Sequence, residues 1–209
     1  MHPVHPRWNG LLGWLRSHGM STEDLPVEAR ERPDAGFGLY ATRSLPPFTP
    51  LLGVPASALL NSFTLSPVYP RLDPPLTAFQ LISLHLTLHR PKDSKSSDPL
   101  FGPYISILPL DFAYHPLTWL YGRITGLASA NEEQRLDLLP PNVLESLNEL
   151  YNRFRTDWER VSDYLVRPRH SHYECFVTIT KKRHQSLYQS NDVDNVRHFL
   201  WAWLNGTYF

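Results

Sequence analysis

Residues 35–61 read AGFGLYATRSLPPFTPLLGVPASALLN and carry more information about the fold than any other part of the chain. A glycine pair, Gly36 and Gly38, opens a short alternating run, and a proline pair separates that run from a second apolar segment. Alternation bounded by turn-forming residues is typical of strands. The stretch therefore predicts two strands, near 37–43 and near 50–54, joined by a turn that contains proline.

The two glycines have a physical meaning of their own. Gly36 and Gly38 lack a Cβ atom, so the backbone can approach a bound ligand closely or adopt a positive φ. Alternation places Phe37 and Leu39 on one face of the strand and Gly38 on the other. The segment is not a dinucleotide-binding fingerprint, because a third glycine and the strand–turn–helix context are missing. A plain glycine turn before an edge strand is the alternative interpretation.

An amphipathic helix is predicted before this stretch. Trp8, Leu11, Leu12 and Leu15 have the spacing of one apolar helix face, and Gly19 follows as a residue that commonly ends a helix. We expect this helix to pack within its own domain. Binding to a membrane or to a partner is the alternative, but the segment has few cations.

The segments after residue 61 are mainly helical in pattern. The run 76–88 is apolar on nearly all sides and predicts a buried helix, and 196–204 is aromatic and also helical in spacing. Between them, 90–99 is typical of a polar surface loop, and 102–119 mixes aromatics with prolines and predicts packed but irregular structure. Residues 173–180 have the composition of a strand.

The clearest helical pattern lies between Pro141 and Pro168. Its apolar residues are spaced 4, 3, 4, 4, 3 and 4 apart, and they are Val143, Leu147, Leu150, Phe154, Trp158, Val161 and Leu165. A coiled coil would show similar spacing, but three heptads flanked by prolines are more typical of a helix inside a domain. Each buried side chain of this kind contributes roughly 1.5–3 kcal/mol, so the stripe must pack against another surface.

Composition limits the classes of function. The chain has 209 residues, 20 Lys+Arg and 20 Asp+Glu, which gives a formal net charge of zero. Balanced charge provides no long-range attraction to phosphate backbones or anionic lipids, so we expect neither nucleic acid nor a membrane as a partner. The single cysteine, Cys175, excludes an intrachain disulfide and a thiolate zinc cluster and suits the cytoplasm or nucleus.

One pair of histidines has metal-ligand spacing. His85 and His89 are four residues apart on the predicted helix 76–88, which would place both rings on one face. The glutamate of an H-E-x-x-H motif is absent and no third ligand is evident from the sequence. We therefore expect no metal site.

Four segments, taken in order, resemble the SET-domain protein-lysine methyltransferases of the Rubisco large-subunit methyltransferase-like family. DAGFGLYATR (34–43) resembles the family's opening G-x-G-L-x-A segment, and PFTPLLGVP (47–55) is similar to the segment that follows it. GPYISILP (102–109) resembles the entry to the family's helical insertion. FLWAWL (199–204) resembles the helix that leads back into the SET core. The resemblance spans nearly the whole chain.

The resemblance implies an α+β fold with a partial SET β-fold at the N-terminus, interrupted by a large, mostly helical insertion. Residues 1–99 would form the N-terminal part of the SET domain with its leading helix, 100–195 the insertion, and 196–209 the start of the returning core. The C-terminal SET core and the substrate-binding helices would be missing. Strands without their sheet partners would leave open edges and exposed apolar faces, so we expect marginal stability and aggregation.

The resemblance also implies S-adenosylmethionine as cofactor and a protein substrate lysine as partner, with the chain a monomer. By analogy, Gly36, Phe37, Gly38 and Leu39 would contact the cofactor. The family's Asn-His pair and catalytic tyrosine have no counterpart in this sequence, so no catalytic residue is assigned and the truncated chain is expected to be inactive by itself. The alternative is a non-catalytic protein-binding module built on the helical insertion.

Overall fold

A computed structural model describes residues 4–32, 36–69, 73–166 and 193–207. The chain divides into two units, Met1–Leu60 with Pro91–Leu108 and Asn61–Arg90 with Pro109–Phe209. It combines several helices with a small two-stranded sheet, in agreement with an α+β class. Across the described ranges, none of the helices has both the length and the apolar character needed to cross a membrane.

The first unit is built around the predicted N-terminal helix, α1 (Trp8–Ser17). The helix ends before Gly19, whose φ of +92° lies in the region that favours glycine. The apolar face of α1 forms a core cluster whose buried members are Trp8, Leu11, Leu15, Met20 and Ala58. Leu12 packs against this cluster, so α1 serves its own unit, as predicted.

The sheet of the first unit is a hairpin of β1 (Val27–Arg32) and β2 (Gly36–Ala41). The strands are antiparallel, with Val27 opposite Ala41 and Arg32 opposite Gly36. The predicted strand near 37–43 is thus confirmed as β2. The strand predicted near 50–54 is wrong, because that segment forms no strand and β2 pairs with β1.

Two physical reasons account for this error. Pro46, Pro47 and Pro50 supply no N–H group to a strand ladder, and Leu52 packs on the α1 cluster from an irregular segment. The true partner, VEARER (27–32), is mostly charged and lacks the apolar alternation that signals a half-buried strand.

The structure also differs from two other expectations. The segment 102–119, expected to be irregular, contains α4 (Gly102–Ile105) and the start of α5 (Pro116–Thr125), each with proline in its first turn. Proline is well tolerated there because the first N–H groups of a helix have no intrahelical acceptor.

The loop 90–99 is only partly a surface loop. Asp98 is buried and accepts a hydrogen bond from Phe101 N at 2.8 Å.

The regular elements of the second unit, within its described residues, are all helices. In chain order its helices are α2 (Ser62–Leu65), α3 (Ala78–Leu88), α5, α6 (Ala130–Asp137), α7 (Pro141–Val166) and α8 (Val193–Gly206). The helix predicted at 76–88 is confirmed as α3, which is buried on nearly every side and packs on α8. Its start is a capping box, in which Thr77 and Gln80 bond each other's backbone N–H groups.

The long apolar stripe is confirmed as α7 and packs against α8. Phe154 is buried and lies 5.8 Å, between ring centroids, from both Phe199 and Trp203. The Asp157 carboxylate accepts hydrogen bonds from Gln80 Nε2 at 2.8 Å and from Trp203 Nε1 at 2.9 Å. These contacts join α3, α7 and α8 in one core. The strand predicted at 173–180 lies outside the described residues.

Candidate functional site

The four residues that the resemblance assigns to a cofactor lie consecutively on β2. Gly36 and Gly38 stand opposite Arg32 and Arg30 of β1. Residues 37 and 39 project to one face, as predicted from alternation, and both of those side chains are exposed. The structure thus presents a strand that has Gly36, Gly38 and Tyr40 on one face and apolar side chains on the other.

The two glycines of β2 differ in what the fold requires of them. Gly36 has a φ of +74°, a conformation that side-chain-bearing residues rarely adopt. Gly38 does not have a positive φ, and a Cβ added to it would meet the Tyr40 ring at 3.6 Å, an ordinary contact. The fold therefore demands glycine at 36 but not at 38. Of the two, only Gly36 has open space where a Cβ would stand, because the Tyr40 ring lies beside Gly38.

The apolar side chains of β2 are left accessible. Phe37 is 50% exposed and Leu39 is 54% exposed. The Phe37 ring contacts His5 edge to face at 4.2 Å, and burial, followed by the nearby Arg7 charge, lowers the pKa of His5. A neutral aromatic surface of this kind suits a flat, apolar ring such as a nucleobase. The arrangement can bind and orient a ligand.

The histidine pair on α3 lies in a buried polar cluster. The rings of His85 and His89 are 4.6 Å apart, so both project from one face of the helix, as predicted. His85 Nδ1 is joined to the Tyr69 hydroxyl by a hydrogen bond of 2.8 Å. That bond gives His85 a structural role in attaching residue 69 to α3.

A cavity of about 340 Å³ in the second unit was not predicted from the sequence. Arg90 and residues of α5, α6 and α8 line it. The Arg90 guanidinium lies over the Trp201 ring at 5.1 Å, and Trp201 Nε1 donates to Pro109 O at 2.7 Å. A signal for this cavity was present, because Arg197 and Trp201 are four residues apart in a predicted helix and share a face.

The cavity carries charges of both signs. Burial lowers the pKa of Arg90, the Asp111 carboxylate opposes that shift, and the Arg197 charge adds to it. Glu132 and Asp194 also line the cavity. None of the four β2 residues borders it, so the strand and the cavity are separate candidate sites.

No protein-family model, curated protein or solved structure matches the chain. The functional assignment therefore rests on its residues and their geometry. Of the segments that carry the resemblance, 34–43 includes β2, 102–109 includes α4, and 199–204 lies in α8. The segment 47–55 forms no regular helix or strand.

Proposed function

We propose that this chain is a SET-domain protein-lysine methyltransferase family member that binds S-adenosylmethionine along β2. The observation that carries the proposal is the combination, in one strand, of two positions without a side chain, Gly36 and Gly38, with exposed apolar side chains at Phe37 and Leu39. A further part of the proposal is that β1 and β2 belong to a partial SET β-fold and that residues 100–195 are its helical insertion. The partner would be a lysine of a protein substrate.

The residues of β2 suit the cofactor in two ways. Backbone N–H and C=O groups at positions without a Cβ can hydrogen-bond a ligand at close range. Phe37 and Leu39 offer apolar surface for the adenine ring. When bound, the cofactor supplies a methyl group on a sulfonium, which moves to a neutral lysine amine by in-line displacement. Since no residue of this sequence is assigned a catalytic role, the proposal is tested through binding.

Titration calorimetry of S-adenosylmethionine into the purified chain tests the proposal, after circular dichroism confirms that the protein is folded. We expect saturable binding in the micromolar range. Gly38→Val adds a branched side chain to β2 within the proposed cofactor site, and a steric cost of about 1.4 kcal/mol or more would weaken binding at least about tenfold. Gly53→Val is the matched control, because Gly53 lies in the same unit and a Cβ there meets nothing within 4 Å.

Two results would contradict the proposal. One is an absence of binding by a chain whose circular dichroism shows native helix content. The other is equal affinity for the wild type and Gly38→Val, which would show that binding takes place away from β2.

A non-catalytic protein-binding module is the second candidate, and one observation favours it. The second unit exposes apolar side chains around α5 and α6, with Ile124 at 52%, Leu127 at 50% and Leu138 at 75% exposure. Exposed apolar surface of this kind is available for contact with a protein partner. Cofactor binding distinguishes the two candidates, since only the methyltransferase proposal requires β2 to contact a nucleoside.

A further inference from the structure

We propose that the cavity of the second unit binds a small organic carboxylate, with the acid group bound by Arg90 and Arg197 and the rest of the ligand against the apolar side chains of the lining. Neither the family resemblance nor the proposed cofactor site involves this cavity. The ligand class follows from three features: a pre-oriented guanidinium, a second guanidinium in the same lining, and apolar side chains that line the rest of the cavity.

Arg90 is held in place before any ligand arrives. It follows the C-terminus of α3, and its Nη2 atom donates to Leu110 O at 3.2 Å. Its guanidinium plane lies over Trp201, whose own indole N–H is bonded to Pro109 O. A guanidinium fixed by stacking and by one hydrogen bond still has other N–H donors for a carboxylate, and it loses little conformational entropy on binding.

Arg197 adds a second positive charge to the same cavity. It lies one helical turn before Trp201 on α8, and its charge is close enough to lower the pKa of Arg90. Over the ranges that the structure describes, neither Arg90 nor Arg197 forms an ion pair with a carboxylate. Two guanidiniums that line one cavity can each donate to an anion bound there.

The acidic side chains around the cavity have local structural roles. Glu132 accepts hydrogen bonds from Ser129 N at 2.7 Å and Ser129 Oγ at 2.8 Å, which closes the capping box of α6 and lowers the pKa of Glu132. Asp111 accepts from Ala113 N at 3.1 Å, and Asp194 lies in the first turn of α8, where a negative charge complements the helix dipole. The arginines have no comparable role in a cap or turn.

The apolar lining and the volume of the cavity limit the chemistry and size of the rest of the ligand. Leu200 and Leu204 line the cavity and are almost fully buried, and Trp201 and Phe112 add aromatic surface. At about 340 Å³ the cavity is at the small end of known ligand sites, which run from roughly 300 to 1,000 Å³. A single aromatic ring or short aliphatic chain bearing one carboxylate fits these limits, and a large nucleotide does not.

Fluorine NMR titration with 4-fluorobenzoate and 4-fluorobenzamide tests the proposal, because the two probes have the same shape and differ in charge. We expect the benzoate to bind at least about tenfold more tightly than the amide, the usual advantage of a charge-assisted hydrogen bond of about 1.4 kcal/mol or more. Arg197→Gln is expected to remove most of that difference. Arg153→Gln, on an exposed position of α7, is the matched control and should bind like the wild type.

Three outcomes would overturn the proposal: equal binding of the two probes, no detectable benzoate binding, or benzoate affinity unchanged by Arg197→Gln. Arg90→Gln provides a second loss-of-charge variant if its circular dichroism matches that of the wild type. Because Arg197 is exposed, its substitution should leave the fold intact, so the test does not depend on the Arg90 variant.

Inorganic phosphate is added as a competitor. Displacement of benzoate by phosphate at equal concentration would indicate a general oxyanion site and contradict the requirement for an apolar ligand body.

Discussion

Apolar side chains are exposed in the hairpin of the first unit and buried in the α3–α7–α8 core of the second unit. Phe37 and Leu39 of β2 are 50% and 54% exposed, whereas Phe199 and Trp203 of α8 have no exposed surface. In a helix, the spacing of the apolar residues determines which face is buried. Two other helices cover the apolar face of α8. A strand face is buried only if a second layer covers it. The apolar side chains of β2 therefore contribute little to the described fold and are available to a ligand.

The largest expected effect is the difference in stability between Trp203→Ala and Phe37→Ala, which tests this contrast directly. Trp203 packs on Phe79 and Phe154 and donates to Asp157, so its truncation should lower the free energy of unfolding by about 3–5 kcal/mol. Phe37→Ala should cost less than about 1 kcal/mol, because the side chain is half exposed. Urea unfolding followed by far-UV circular dichroism measures both. Similar losses in the two variants would show that the β2 face is covered in solution.

A smaller effect sharpens the contrast within β2 itself. Gly36→Ala forces a side chain into the left-handed region and should destabilise the chain by about 1–2 kcal/mol. Gly38→Ala makes only an ordinary contact with Tyr40 and should change stability by less than about 0.5 kcal/mol. Thermal melts of the two variants provide the comparison. Equal shifts in Tm would contradict the different backbone roles of the two glycines.

The smallest effect concerns pH and the second unit. His115 is the N-cap residue of α5, its Nδ1 atom accepts from Leu117 N at 3.1 Å, and burial lowers its pKa. A lowered folded-state pKa means that the unfolded chain binds the proton more tightly. Neutral His115 therefore contributes its full stabilisation above the ordinary pKa of about 6.5. This contribution is lost as the pH falls through the pKa that His115 has in the folded state.

His115→Asn tests this, since asparagine can still cap the helix but does not titrate. We expect the variant to lose less stability than the wild type when urea titrations at pH 7 and pH 5 are compared. His18→Asn, in the first unit, serves as the control for a histidine substitution of the same type. An unchanged acid sensitivity in His115→Asn would assign the pH dependence to other groups, among them His5, whose pKa burial also lowers.

Helices were predicted well because their signals are local. The spacing of Trp8, Leu11 and Leu15 and the longer stripe through Leu147, Phe154 and Val161 identified α1 and α7 and their buried positions. Val143, the first residue of that stripe, is 40% exposed, because a helix terminus can extend beyond the surface that covers its middle. Short helices were missed where proline was interpreted as disrupting structure, although Pro103 and Pro116 occupy the first turns of α4 and α5.

Strand pairing and the cavity were less predictable, for a common reason. Which strand pairs with β2 depends on contacts distant in sequence, and the charged β1 gives no apolar signal. The cavity brings Arg90 to Arg197 and Trp201, more than a hundred residues further along the chain. The three-part domain organisation and the methyltransferase assignment remain predictions, which the binding experiments address.

The sequence by itself determined the main helices and the strand predicted near residues 37–43, because periodicity and backbone sterics act over a few residues. Only the tertiary structure decided that β1 is the partner of β2, that Phe37 and Leu39 stay exposed, and that Arg90 lies over Trp201 in a cavity that Arg197 also lines. These features depend on how distant segments pack, and packing energies arise from shape and burial that a linear pattern does not encode.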